Sequence, residues 1–216
     1  MNPVDDLGLE LVVPAGFHAL PLDLDAEGMP DPDAFEDLVT GLLPHGGDEH
    51  RLVVATRILV LLRAQAAAPI EVGFAALGLL GDEQGGIAPV TLSVSRSPSA
   101  HDDPEVAARG ILELLQRRHS PADGPADVRW LDLPCGPAVV DTRFERRSFA
   151  PDPAPAEDGP FLDHGCFDVH IPHPAGGSVV VVTIDSPALH VWGSVSNLAA
   201  AVVSSVRFLV AEVAAA

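Results

Sequence analysis

The sequence predicts an α+β fold, in which helices pack on an antiparallel sheet of about six to eight strands. Short segments of alternating apolar and polar residues are joined by brief turns rich in Gly and Pro, and strands connected in this way pair antiparallel. Three other segments begin with a capping residue followed by proline, which is typical of helix starts. The resulting order is two strands, two helices, a hairpin, a helix, two strands, a hairpin and a helix.

Four helices are predicted. Asp31, Asp103 and Ser186 are the expected N-caps, each directly before a proline, and apolar residues at helical spacing follow every cap. A further helix is predicted at residues 51–67. Because this segment is apolar on most sides, we expect the helix to be well buried.

Eight strands are predicted, at residues 7–13, 17–22, 70–80, 89–95, 128–133, 138–145, 166–171 and 178–184. Two hairpins are expected, with turns at 82–86 and 172–177. Residues 148–164 are rich in Pro, Ala and acidic residues and lack periodicity, so they predict a mobile loop. No internal repeat is recognisable, and residues 1–216 are expected to form a single domain.

The charge of the chain is strongly negative. Its 31 acidic residues outnumber 12 basic residues, the formal net charge is −19, and the first basic residue is Arg51. Phosphate backbones and anionic lipids would be repelled, so neither nucleic acid nor a membrane surface is expected as a partner. A basic protein partner is favoured instead, because complementary charge speeds encounter.

The sequence shows no sign of export or membrane insertion. The first six residues (MNPVDD) lack the basic and apolar regions of a signal peptide, and no stretch of 18 apolar residues occurs. Cys135 and Cys166 are expected to be free, reduced thiols. A cytoplasmic location is therefore predicted.

Potential metal ligands concentrate in one segment, FLDHGCFDVHIPHPAGG (161–177). The candidate ligands are His164, Asp168, His170 and His173. On a strand, Asp168 and His170 would point away from the core, towards solvent or a covering element. Because the paired spacing of zinc motifs is missing, a polar hairpin is favoured and no cofactor is predicted. A metal-binding protein or metal-dependent enzyme that uses these four residues remains the alternative.

No catalytic motif is recognisable, so an enzyme is not predicted. Cys135 lies in a bend (LPCGP) without the setting of a nucleophile. The sequence contains no P-loop, no G-x-S-x-G and no G-x-G-x-x-G. Arg143, Arg146 and Arg147 form the only local basic cluster, which we interpret as a partner of the neighbouring acidic loop rather than as an anion site.

The segment after Ser186 predicts a long C-terminal helix with an apolar stripe from Trp192 to Leu209. The simplest interpretation is that the stripe packs on the sheet. Such a stripe could also pair with another copy or with a partner. The candidate partner-binding residues are Trp192, Val195, Val202, Val206 and Leu209.

Several segments resemble a family of uncharacterised alanine-rich actinobacterial proteins and, more distantly, the PsbP-like superfamily. They are LELVVPAGFHALPL, PVTLSVSRSP, VRWLDLPCGPAVVDTRF and the last hairpin with the helix that follows it. The resemblance implies a PsbP-like fold and a non-enzymatic role, since members of that superfamily are mostly photosystem accessory subunits, lipoproteins, a GTPase-binding nuclear import factor and chaperones for secreted effectors. It brings no catalytic residues.

The function expected on these grounds is that of a cytoplasmic, non-catalytic binding protein. It would be an adaptor, a chaperone or an accessory subunit of a protein complex, with a secretion-related role among the options. The metal-dependent alternative and a structural homo-oligomer remain open.

Overall fold

The computed structural model describes residues 8–66, 70–77, 89–119, 126–148 and 161–209. The helices in this part of the chain are α1 (Pro32–Leu42), α2 (Asp48–Ala66), α3 (Pro104–Arg118) and α4 (Trp192–Ser204). The strands are β1 (Leu9–Glu10), β2 (His18–Ala19), β3 (Ile70–Ala76), β4 (Val90–Pro98), β5 (Ala126–Leu133), β6 (Gly136–Ser148), β7 (Phe161–Pro172), β8 (Ser178–Ser186) and β9 (Arg207–Phe208).

The main sheet has seven strands in the order β2-β3-β4-β8-β7-β6-β5, and every neighbouring pair is antiparallel. β1 and β9 form a separate antiparallel pair. The predicted α+β fold with an antiparallel sheet of six to eight strands is therefore confirmed.

α4 covers one face of the sheet and forms the main apolar core with it. The register places Phe167 of β7 opposite Ile184 of β8, and both belong to this face. Trp192 at the start of α4 stacks on Phe167, with ring centroids 4.6 Å apart. Gly165 allows this approach, because a Cβ atom there would collide with the indole ring. The buried residues of α4 are Val195, Ala199, Val202 and Val203.

The opposite face is covered by helices at its two ends. α3 lies over β5, β6 and β7, where Ala108 and Leu115 pack with Val139. α1 and α2 cover the β3 end, where Leu38 and Leu62 pack with Ala75. The middle of this face lies between the two groups of helices.

Two of the predicted N-caps are confirmed. Asp31 accepts a hydrogen bond from the N–H of Ala34 (3.0 Å). Asp103 accepts hydrogen bonds from the N–H groups of Glu105 (2.8 Å) and Val106 (3.2 Å). Each carboxylate thus satisfies backbone donors that the first turn of a helix leaves free.

The third predicted N-cap, Ser186, is wrong. Its hydroxyl donates to the carbonyl of Pro89 (2.7 Å) and accepts from the N–H of Ala188 (3.1 Å), so it joins the end of β8 to the start of β4. The chain then makes a short 3-10 turn (Leu189–Val191), and α4 begins only at Trp192, without a side-chain cap.

Other boundaries and burials also differ from prediction. α4 ends at Ser204, and the chain after it becomes extended because Arg207–Phe208 pair with Leu9–Glu10. The prediction of a loop at 148–164 is wrong at both ends of the segment, because residue 148 belongs to β6 and residues 161–164 belong to β7. Residues 149–160 lie outside the described part. The predicted turn at 82–86 also lies outside it.

α2 is less buried than predicted. Ile58 and Leu62 are buried against α1 and β3, but Leu52 and Val53 remain 68% and 49% exposed. The helix packs by its C-terminal half, and no described element covers the exposed face of its N-terminal half.

Candidate functional sites

One row of β7 carries most of the predicted metal ligands. His164, Cys166, Asp168 and His170 occupy alternate positions, so they share one face of the sheet, the face on which α3 packs. The strand register sets this row between polar residues of β6 and β8. We call the resulting group the charged network. Its members are His119, Asp141, Arg143, Glu145, His164, Cys166, Asp168, Thr183 and Asp185.

Arg143 lies at the centre of the charged network. Its guanidinium contacts the carboxylate of Asp168, and its Nε lies 3.5 Å from carboxylate oxygens of Asp141 and Glu145. Burial alone would lower the pKa of Arg143, but Asp168, Asp141 and Glu145 outweigh burial and raise it. Arg143 therefore stays charged and neutralises carboxylates that the sheet would otherwise bury as unpaired anions.

Asp141 connects the network to a helix. Only 1% of its side chain is exposed, and His119 Nε2 lies 2.8 Å from its Oδ1. His119 directly follows the last residue of α3. The contact therefore fixes the C-terminal end of α3 on β6.

His164 connects three strands. Its ring is almost completely buried on β7, with Nδ1 2.7 Å from Asp185 of β8 and Nε2 3.7 Å from Glu145 of β6. Neither contact has the direction of a hydrogen bond, so the ring lies close to two carboxylates without a hydrogen bond to either.

The charged network does not pair its histidines with a nucleophile. Within the described part of the chain, neither His119 nor His164 contacts a thiol or hydroxyl that it could deprotonate. The Cys166 thiol instead donates to Asp168 (3.6 Å) and accepts from Arg143 (3.8 Å). Burial first, and then the nearby Asp168, raises the pKa of Cys166, so its sulfur stays a protonated, weak nucleophile.

The candidate metal ligands do not converge. His164, Asp168 and His170 lie along one strand, and at about 3.3 Å per residue four positions span about 13 Å, too far for one ion. His173 lies in the β7–β8 turn, where its ring meets Phe208 edge-on and Nδ1 accepts from the N–H of Ala175 (3.1 Å). Among the described residues, no group of three or more His, Cys, Asp or Glu is placed to hold a metal ion.

Most of the candidate partner-binding residues are buried within the chain itself. Val195, Val202 and Val206 are buried, and Trp192 packs on Phe167. They are therefore unavailable to a partner in this structure. Only Leu209, beyond the end of α4, is exposed (43%). From Trp192 to Val206 the stripe packs on its own sheet, as the simpler interpretation of the sequence expects, whereas Leu209 does not.

A second candidate site is formed by the exposed carboxylates of the segment before α1, of α1 and of the start of α2, which we call the acidic surface. Its nine carboxylates are all exposed: Asp23, Asp25, Glu27, Asp31, Asp33, Glu36, Asp37, Asp48 and Glu49. No basic residue occurs between positions 23 and 49. Within the described chain none of these carboxylates forms an ion pair, although Asp25 and Asp31 accept backbone hydrogen bonds.

The exposed apolar pair, Leu52 and Val53, borders the acidic surface. On α2, Asp48 and Glu49 precede these residues by four positions, so each carboxylate lies one turn from an apolar side chain on the same side of the helix. The surface thus presents negative charge and apolar area next to each other.

Comparison of the chain with protein-family models, with curated proteins and with solved structures gave no match. The resemblance to the PsbP-like superfamily therefore stays a prediction. No helix in the described residues has both the length and the apolar character needed to cross a membrane.

Most partners in the charged network were not predicted from the sequence. Asp141, Arg143 and Glu145 alternate along β6, as do Thr183 and Asp185 along β8, and this polar alternation was the available signal. The predicted arginine cluster is divided between two environments. Arg143 enters the network, whereas Arg146 forms an exposed ion pair with Asp163 (2.8 Å).

Proposed function

We propose that the protein is a non-catalytic binding protein, an adaptor, chaperone or accessory subunit, that binds a basic segment of a partner protein through its acidic surface. The observation that carries the proposal is the position of the exposed apolar pair, Leu52 and Val53, directly beside carboxylates without counter-ions.

Charge decides which partner this surface attracts. The carboxylates there are exposed, and no arginine within the described chain pairs with them. Their combined field attracts cationic segments, speeds their encounter and weakens as salt screens it. An acidic or phosphate-rich partner would be repelled.

The apolar pair supplies an attraction that salt does not remove. Burial of a leucine or valine side chain contributes about 1.5–3 kcal/mol when it goes from fully exposed to fully buried. A basic amphipathic helix offers both complements, since its apolar side chains can cover Leu52 and Val53 while its cationic side chains approach Asp48 and Glu49.

The charged network supports a non-catalytic role. Its arginine contacts carboxylates, each histidine ring faces a carboxylate, and its thiol is protonated. These contacts hold β6, β7, β8 and α3 together, which is a structural task.

A designed peptide tests the proposal. The probe is a fluorescent amphipathic helical peptide with leucines on one side and arginines on the other, and its anisotropy reports binding at low and at moderate salt. We expect binding that weakens with salt and that falls about tenfold in Leu52→Ser/Val53→Ser, because most of the apolar contact is lost. A matched peptide with glutamates in place of arginines should not bind.

Leu114→Ser is the control, because Leu114 (62% exposed) is nearly as exposed as Leu52 (68%) but lies on α3. It should bind the arginine peptide like the wild type. Equal losses in both variants, or equal binding of the glutamate peptide, would contradict the assignment of this surface.

A further inference from the structure

The two edges of the main sheet are very different. β2 at one edge has two residues and lies beside α1. β5 at the other edge has eight residues, and within the described chain no strand lies on its outer side. An open edge presents unpaired N–H and C=O groups that can pair with another strand. We infer that β5 pairs antiparallel with β5 of a second copy of this chain, which joins the two sheets into one.

Backbone alternation identifies the groups available for this pairing. Pro137 of β6 stands opposite Asp132 of β5 and has no N–H to donate, so this is a pair without hydrogen bonds. Hydrogen-bonded pairs alternate with such pairs, so the odd-numbered residues of β5 bond to β6. The N–H and C=O groups of Val128, Trp130 and Asp132 therefore point outward from the edge.

Symmetry limits the register. A twofold axis perpendicular to the sheet keeps each face continuous across the dimer, so opposite residues are both even-numbered or both odd-numbered. A register centred on Val128 places Asp127 opposite Arg129 of the second copy, and the reverse, in two symmetric pairs. Centring on Arg129 would oppose two guanidinium groups, and centring on Trp130 would place both charges opposite leucines.

The charges on β5 therefore match a second copy in one register. Asp127 and Arg129 are exposed and lie 2.5 Å apart within one chain, and the dimer replaces this contact by two contacts between copies. Other protections of an edge are missing, since residues 126–133 contain no Pro or Gly and pair with β6 without a bulge. In the Val128 register the charged pairs occupy positions without hydrogen bonds, where opposite side chains are closest.

The dimer is expected to be weak. Pairing through one edge strand buries little area compared with the total of about 1,200–2,000 Å² in stable complexes. The association should therefore depend on concentration, with a mass that approaches twice the 22.5 kDa of one chain.

Charge exchange tests the pairing, with sedimentation equilibrium over a concentration series as the measurement. Asp127→Arg turns both cross-strand pairs into repulsive ones, and we expect the dimer dissociation constant to rise about tenfold or more. The double variant Asp127→Arg/Arg129→Asp restores opposite charges and should restore the dimer. Both residues are exposed, so circular dichroism should show unchanged folding.

Asp163→Arg is the matched control, since Asp163 forms the exposed ion pair with Arg146 on the neighbouring strands and should leave the dimer intact. A wild-type chain that stays monomeric throughout would overturn the inference. A dimer that Asp127→Arg does not weaken, or that the double variant fails to restore, would overturn it as well. The basic-peptide test concerns other residues, so either conclusion can fail alone.

Discussion

The same strands form both faces of the main sheet, but the two faces are stabilised in different ways. On the α4 face, side chains such as Phe167 and Ile184 need only apolar neighbours of suitable shape. On the α3 face, Arg143 and Asp141 need particular partners at particular positions, because a buried charge without a partner is costly.

The α4 face contributes mainly to stability, whereas the α3 face contributes mainly to the choice of strand register. The α4 face contributes most of the apolar burial, and an error of position there costs packing. A slip of one residue in β6 or β7 would turn Asp141 or Asp168 into the apolar core and Val140 or Val169 out of it. The charged network therefore penalises wrong registers, and substitutions on the two faces should separate the two contributions.

The largest effect is expected on the apolar face. Val195→Asp places a carboxylate in a fully buried position without a partner, and we expect loss of the folded state by circular dichroism. Val12→Asp is the matched control, because Val12 is mostly exposed and the same change there should leave folding intact. A folded Val195→Asp protein would mean that α4 does not pack on the sheet.

A smaller, but still large, effect on stability is expected on the α3 face. Arg143→Ala leaves the buried Asp141 and the partly buried Asp168 without their guanidinium, and we expect the free energy of unfolding to fall by about 3–5 kcal/mol in urea denaturation. Arg146→Ala removes an exposed pair with Asp163 and should cost at most about 1 kcal/mol. Equal losses of stability in the two variants would show that the ion pairs of the charged network contribute no more than an exposed ion pair.

The N-cap of α3 is expected to have a smaller effect on stability than the ion pairs of the charged network. Asp103→Ala removes the acceptor for two N–H groups of the first turn, and we expect unfolding in urea to require about 1 kcal/mol less. Asp102→Ala is the control, since this exposed neighbour has no capping bond. No difference between the two would show that the cap contributes nothing measurable.

The smallest effect concerns pH. Burial lowers the pKa of His170, and Arg143 acts in the same direction, although Asp168 and Asp141 oppose them. A free histidine titrates at about pH 6.5. Below this pH the unfolded chain binds a proton that the folded chain refuses, so stability falls as pH decreases from about 6.5 to the lowered pKa.

His170→Asn should reduce this dependence. We expect the free energy of unfolding, measured in urea across that pH window, to change less steeply for the variant than for the wild type. Identical slopes would show that His170 takes up its proton equally well in both states.

The sequence was sufficient for those features that depend on local pattern. Alternation placed Val169 and Ile171 on the core face of β7, and both are buried. The Asp-Pro starts of α1 and α3 carry a capping carboxylate and a fixed proline φ, and both caps form.

Features that depend on distant contacts could not be predicted. The partners of His164 follow from pairing among β6, β7 and β8, and that register is not encoded in any single strand. Ser186-Pro187 has the pattern of a helix start, but the hydroxyl finds Pro89, nearly a hundred residues earlier. The apolar side chains of Leu52 and Val53 predicted burial, but burial depends on whether another element packs against them.

The short β1–β9 pair has a mechanical consequence. The N–H of Leu209 donates to the carbonyl of Gly8 (2.9 Å), and Leu9 stands opposite Phe208, so the two ends of the described chain leave the pair on the same side. A force applied through these ends would break the hydrogen bonds of the pair one after another rather than load all of them at once. The pair should unzip at low force and draw Leu9 out of the core beneath α4 before any strand of the seven-stranded sheet separates.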